Sequence, residues 1–212
     1  MRAIVRFMLE QLYTRFAWAY DAVAALASLG DWQAWGRCAI SFLTGERLLE
    51  IAHGSGHLFC ALRAAGQHVI AIDRSWPMAQ QLRRRALRHG YRPAHAQADA
   101  RHLPFPSAMF DSVVTTFPAP FVFETRTLAE VHRVLRVGGR WVIVPAVVWQ
   151  GSAPMDRLLR VAHRISGRTS DNTTAMRRFT AAGFSCQTHI QPAGRAAVII
   201  WVCVKLSPGP AA

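Results

Sequence analysis

A chain of 212 residues is long enough for one substantial domain and cramped for two. Hydrophobic residues make up 51% and charged residues 17%, a balance that supports a large buried core and excludes global disorder. The formal net charge of +13 invites an acidic partner such as RNA or anionic lipid, but Lys205 is the only lysine. Arginine in place of lysine throughout reads as a coding bias, so a nucleic-acid partner is disfavoured.

Near the N-terminus Val5, Met8, Leu9, Leu12, Phe16, Tyr20 and Val23 recur at three- and four-residue steps, the mark of amphipathic helices. Glu10, Arg15 and Asp21 interrupt the apolar stretches, so no uncharged run there is long enough to span a membrane and no cleavage site follows one. A soluble, cytoplasmic protein is expected, with a helical lid over residues 1–45, a main domain over 46–206 and a frayed tail over 207–212. From Arg47 the pattern changes. Leu48-Leu49-Glu50-Ile51-Ala52 is a short apolar run ending in His53-Gly54-Ser55-Gly56, which predicts a strand, a tight turn and then a helix from Leu58 to Ala65, closed by Gly66. The strand from His68 to Ile72 ends at Asp73, and Pro77 opens a helix running from Met78 to His89. A short strand near Ala94 to Ala98 leads to Asp99.

Asp111 to Phe117 predicts a β-branched strand, Leu128 to Leu135 a helix, and Gly138-Gly139 a turn into the strand Trp141 to Val148. A weakly patterned segment, Trp149 to Ser170, precedes a helix from Asp171 to Ala182 that stops at Gly183. Two strands, Phe184 to Ile190 and Ala196 to Lys205, close the chain. Apolar strands alternating with helices imply an α/β, Rossmann-like sheet of seven mostly parallel strands with helices on both faces. The last connection is short, so the sheet ends in an antiparallel hairpin. Cys38, Cys60, Cys186 and Cys203 stand far apart with no C-x-x-C, which predicts reduced, buried thiols and no metal site.

In such a sheet a ligand sits beyond the carboxyl ends of the strands, where the strand order reverses. The candidates are therefore Glu50 to Gly56, Asp73, Asp99 and Thr116-Phe117. Glycines at 54 and 56 let backbone approach a ligand closely. Asp73 is placed to accept from two ribose hydroxyls, and Asp99 from an adenine amino group. A dinucleotide fingerprint would need G-x-G-x-x-G, and Gly54-Ser55-Gly56 is followed by His57-Leu58-Phe59.

Four blocks in order resemble the class I methyltransferases, and within them the type-11 group related to ubiquinone and menaquinone biosynthesis enzymes. They are Leu48 to Gly56; Asp73-Arg74-Ser75-Trp76-Pro77-Met78; Ala98-Asp99-Ala100 with Leu103-Pro104-Phe105 and Phe110-Asp111; and Leu128 to Gly139. The resemblance implies S-adenosyl-L-methionine as cofactor and transfer of its methyl group to a small, hydrophobic molecule such as a quinone precursor, a lipid or a polyketide. The alternatives are an RNA methyltransferase and a non-catalytic S-adenosylmethionine-binding protein. By the same resemblance Glu50 orients the methionine moiety and Gly54 and Gly56 contact it, with Ala52 and His53 in the same loop. Asp73 holds the ribose, Met78 packs on adenine, and Asp99 with Ala100 binds the adenine edge. Arg74 and Thr116, at the same strand ends, complete the cofactor set, and Tyr20 touches the methionine carboxylate or the methyl group. Ala52 stands where the family has its first glycine, and is expected to keep ordinary backbone angles and shift the turn slightly. His53 replaces the usual cysteine and Val137 the usual proline.

Methyl transfer to a nucleophile needs mainly alignment, worth roughly 7 to 11 kcal/mol, so no fixed catalytic residue is expected. The catalytic assignment stays open, with His53, His57, Tyr20 and His163 as weak candidates; the histidines read more readily as packed or solvated side chains, and Tyr20 as readily as a core aromatic. His102 and His132 suit solvated positions. The acceptor pocket is expected among Trp32, Trp35, Phe117, Pro118, Pro120, Phe121, Phe123, Trp149, Met155 and Leu158, which read equally as the core of a lid. Arg83, Arg84, Arg85 and Arg88 read as a solvated face. Thr116-Phe117-Pro118-Ala119-Pro120 lacks the amide of base-amine methyltransferases, and no Pro-Cys pair occurs. The oligomeric state is not legible.

Overall fold

A computed structural model describes residues 20–150 and 172–207. The helices expected before Tyr20, the segment 151–171 with Met155, Leu158 and His163, and the tail from Pro208 lie outside those residues. The described chain runs through α1 (Tyr20–Ser28), α2 (Trp32–Arg37), a 3-10 turn (Ile40–Phe42), β1 (Arg47–Ile51), α3 (His57–Ala64), β2 (His68–Asp73) and α4 (Trp76–Arg88). It continues with β3 (His95–Gln97), β4 (Phe110–Thr116), a second 3-10 turn (Pro120–Phe123), α5 (Thr125–Val134), β5 (Leu135–Trp149), α6 (Asn172–Ala181), β6 (Phe184–Ala193) and β7 (Ala196–Lys205).

The seven strands form one sheet in the order β3-β2-β1-β4-β5-β7-β6. β1 to β5 pair in parallel, whereas β7 is antiparallel to both β5 and β6. Alternate residues of the central strands face opposite sides, so two apolar layers form. Leu48, Val69 and Val114 pack with Phe59, Leu62, Leu82 and Ala86 of α3 and α4. Leu49, Val113 and Trp141 pack with Leu128 and Val131 of α5 and Phe179 of α6. The indole of Trp141, fully buried, donates to Thr115 Oγ1 at 3.0 Å, so this large ring leaves no polar atom unpaired.

Two polar brackets fix the strand starts. Asp111 accepts from the backbone N–H of Glu46 (3.1 Å) and Arg47 (2.9 Å) and pairs with the Arg47 and Arg136 side chains. The Arg47 hydrogen bonds outweigh burial and bring its pKa down to about 2. Glu130 accepts from Leu103 N at 2.7 Å, while Arg133 donates to the carbonyls of Leu103 and Phe105. Asp111 and Glu130, acids of the third and fourth sequence blocks, are thus braces for loops and strand ends.

Two expectations are corrected. Gly138 and Gly139 do not make a turn between helix and strand; β5 already starts at Leu135, and its pairing to β4 shifts register between Phe110 and Ser112. The glycines form that bulge: Gly138 has φ +73°, and a Cβ at Gly139 would lie 2.8 Å from the Arg136 carbonyl oxygen. Nor are all four cysteines free. Cys186 and Cys203 are direct partners across β6 and β7, with Cα atoms 4.0 Å apart, and they form a disulfide; Cys38 and Cys60 remain free and buried. Antiparallel register brought together two residues whose sequence spacing carried no signal.

Candidate functional site

From β1 the chain moves to β2 on one side, while β4 lies on the other, so the order reverses at the carboxyl ends of β1 and β4. Both ends carry a non-glycine residue in the left-handed region: Ala52 at φ +58° and Phe117 at φ +48°. Each such residue costs roughly 1–2 kcal/mol, and strain of this kind concentrates at ligand sites. The expectation of ordinary angles at Ala52 is therefore wrong. The turn keeps the left-handed path that glycine would take, pinned by hydrogen bonds from Ala52 N (2.8 Å) and His53 N (3.3 Å) to the Ile72 carbonyl, and the extra methyl is tolerated as strain. Ala52→Gly should stabilise the fold by about 0.5–1 kcal/mol, since relief of this strain exceeds the entropy that glycine adds to the unfolded chain. A thermal melt checks this, and a rise of about 2 °C is expected.

The two glycines of the loop serve different ends. A Cβ on Gly54 (φ +54°) would meet no protein atom within 4 Å, and its N–H donates to Asp73 Oδ2 at 3.0 Å. A Cβ on Gly56 (φ +82°) would stand 2.8 Å from the Leu82 side chain, so this glycine lets α4 pack against the loop. Asp73 Oδ1 accepts from Ser75 N at 2.8 Å. Each Asp73 oxygen therefore has one backbone donor and keeps a second acceptor direction.

Glu50 and His53 lie beside this brace. Glu50 is 2% exposed and its Oε2 has no partner. Burial, with the Asp73 charge nearby, pushes its carboxyl well above the ordinary range. His53 Nδ1 lies 2.7 Å from the Gly54 carbonyl oxygen, so Nδ1 carries the proton and donates. Nε2 is then an acceptor, and it is buried without a donor. Burial lowers the ring's pKa and keeps it neutral. Two buried, unsatisfied acceptor groups beside one glycine loop fit a ligand that brings donors, above all an ammonium.

The N-terminal helix is tied to the same loop. Asp21 accepts from Ser55 Oγ (2.5 Å), Arg85 Nη2 (2.6 Å) and His57 Nε2 (3.2 Å), and Arg85 Nη1 also donates to the Ser55 carbonyl. Burial opposes the Asp21 charge, but hydrogen bonds from His57, Ser55 and Arg85 outweigh it and hold the carboxyl well below the usual range. Arg85 was expected on a solvated face. Its place seven residues after Met78, on the stripe that includes Leu82, was the signal that it turns inward. His57, a candidate base, is committed to Asp21.

The remaining expected residues divide. Met78 is fully buried behind the loop and presents no surface to a ligand in this conformation. Asp99 is held in a two-pronged pair by Arg101 (2.9 and 2.6 Å), whose hydrogen bonds bring its pKa down to about 2. An adenine amino group there would compete with that guanidinium. Ala100 is buried at 8% exposure, Arg74 is exposed, and Thr116 is half-buried next to Gly36 of α2. Tyr20 opens α1, but its side chain, like His163, lies outside what is described. Trp32 stacks on Phe117 at 4.0 Å between ring centres, and Trp35 contacts Phe117 and Trp149. Trp35 and Trp149 are buried core, leaving half-buried Trp32 with surface to offer. Phe121 and Phe123 belong to the opposite layer, where Phe123 packs on Phe179 and Trp201. The expected acceptor pocket is thus two separate aromatic groups. Among the described residues no three His, Cys, Asp or Glu side chains converge as a metal site.

The family described as "Methyltransferase domain" matches residues 48–139, from the first residues of β1 through the β5 bulge. A demethylmenaquinone methyltransferase of Clavibacter sepedonicus is 42% identical over 129 residues, 59% of this chain and 52% of that protein. Another, from Symbiobacterium thermophilum, is 31% identical over 169 residues, covering 76% of this chain and 65% of its own length. The chain therefore spans between about half and two thirds of these relatives' lengths. Among solved structures, a Thermotoga maritima methyltransferase described as a possible histamine N-methyltransferase aligns with a TM-score of 0.62 at 19% identity, over 90% of this chain and 96% of its own. At that identity the likeness speaks to fold. Strand order, loop and sequence blocks agree with that match: residues 48–139 carry a methyltransferase domain, in a chain similar to demethylmenaquinone methyltransferases.

Proposed function

We propose that this protein is a cytoplasmic enzyme that transfers a methyl group from S-adenosylmethionine to a small hydrophobic molecule. The observation that carries this reading is the pair of buried acceptors, Glu50 Oε2 and His53 Nε2, left without donors at the strained end of β1. The bound cofactor supplies a methyl group on a sulfonium, already a good leaving group. Glu50 and His53 would accept from its ammonium, and Asp73 would use its remaining acceptor directions for the ribose hydroxyls. Gly54 gives close backbone approach, Ala100 and Asp99 meet the adenine edge once Arg101 yields, and Arg74 and Thr116 border the site. Met78, fully buried, would meet the adenine only if the loop above it moved.

The acceptor side is formed by Trp32 stacked on Phe117, an apolar wall that excludes water and suits an apolar substrate. Relatives named for demethylmenaquinone support a quinone-like acceptor. Calorimetric titration of the purified chain with S-adenosylmethionine and with its demethylated product tests the reading. Saturable heat with both, and labelled-methyl transfer to an apolar phenol or quinol, is expected. No heat with either compound would sink it. Cofactor binding without transfer to any acceptor would leave a binding protein instead.

A further inference from the structure

We infer that the outer face of α4 docks on an anionic phospholipid surface. The helix runs from Trp76 to Arg88 and buries Met78, Ala79, Leu82 and Ala86 against the sheet. Its opposite stripe carries Trp76, Arg83 and Leu87 at helical spacings of seven and four, with Arg84 and Arg88 alongside. Trp76 is 55% exposed and Leu87 52%, and all three arginines are exposed. Trp76 and Leu87 stand about 16 Å apart along the axis, so apolar anchors bracket the charge.

The stripe is cationic without compensation. α4 contains no Asp or Glu, and none of Arg83, Arg84 or Arg88 forms an ion pair among the described residues, whereas Arg85 on the inner side is fully paired. Singly exposed apolar side chains are ordinary on a protein surface; what sets this face apart is that Trp76 and Leu87 share it with three arginines on a helix without an acidic residue. A nucleic-acid face uses arginines, but gains little from an exposed leucine among them. Exposed Trp and Leu embedded in arginines is the composition of a helix that lies in a headgroup layer, its apolar tips in the acyl boundary and its guanidiniums on phosphates. The chain's net charge of +13 adds long-range attraction of the same sign. No described helix is long and apolar enough to cross a membrane, so the contact is peripheral. Trp76 follows Asp73 by three residues, so the docked helix would set the rim of the cofactor site at the lipid surface. The inference stands on the surface of α4 and holds whatever the methyl acceptor is.

Co-sedimentation of the full chain with phosphatidylcholine vesicles, with and without phosphatidylglycerol, tests it. Binding only to the phosphatidylglycerol vesicles, weakening as salt rises, is expected. Replacing Arg83, Arg84 and Arg88 together by Gln should weaken that binding on the order of 100-fold, and Trp76→Ala severalfold. Both variants should keep the wild-type melting temperature, because the replaced side chains are exposed, and calorimetry with S-adenosylmethionine is run separately so that failure of lipid docking and failure of the cofactor reading are told apart. Equal sedimentation with both vesicles, no sedimentation, or lipid binding untouched by the variants overturns the proposal. So does duplex RNA binding that depends on the arginines while lipid binding is absent.

Discussion

Asp73→Ala is expected to lower affinity for S-adenosylmethionine by about 10²- to 10⁴-fold, the loss of two charge-assisted hydrogen bonds of about 1.5–3 kcal/mol each. Two effects act together. The ribose loses its carboxylate, and the loop loses its brace, because Asp73 now accepts from Gly54 N and Ser75 N. Asp73→Asn separates them. One amide oxygen still accepts, so part of the bracing survives while the charge is gone, and affinity should fall between that of the wild type and the alanine variant. Titration calorimetry on all three proteins, with melting curves alongside, reads both effects. If alanine lowers the melting temperature and leaves affinity unchanged, Asp73 is a loop brace alone.

The second large effect runs in opposite directions on stability and binding. Glu50→Gln should stabilise the unliganded fold at neutral pH and weaken cofactor binding about 10- to 100-fold. In the fold, burial and the Asp73 charge raise the Glu50 carboxyl well above its ordinary value of 4.5. The unfolded chain releases that proton near the ordinary value, while the fold retains it. Over that window the native state binds more protons than the unfolded state, so stability falls as pH rises, until the folded carboxyl itself titrates. Glutamine removes this drift, and the gap in melting temperature between variant and wild type should widen upward from about pH 4.5. A bound ammonium would return the carboxylate to its charged form. Binding to the wild type should therefore release a proton, seen as a calorimetric enthalpy that varies with the buffer's ionisation heat. The variant should show no such dependence.

Strand order and the acids at strand ends were legible because they rest on period and position. Leu48 to Ala52 and His68 to Asp73 are apolar runs that end where helices begin, and the structure places them as neighbouring parallel strands. What was not legible depends on three-dimensional proximity. Gly56 reads as a ligand-facing glycine, and the packing need for it shows only where Leu82 stands 2.8 Å from where its Cβ would be. Ala52 reads as an ordinary residue, since side-chain type alone does not reveal that hydrogen bonds to Ile72 hold it left-handed. Arg101 gave no sign that it would occupy Asp99, because a pair two residues apart across a turn has no periodic signature. Phe121 and Phe123 were grouped with Phe117 by closeness in sequence, yet the 3-10 turn between them carries the chain to the other face of the sheet.

The contact between α1 and the glycine loop has a consequence for timing. Asp21 grips Ser55 and His57 directly, and through Arg85 it also holds the Ser55 carbonyl, so the loop is clasped between α1 and α4. Were α1 to cover a molecule seated on that loop, its departure would wait on the opening of the clasp. Residence time would then be governed by how often α1 lifts, and two proteins with the same cofactor affinity would exchange it at different speeds if their clasps differ.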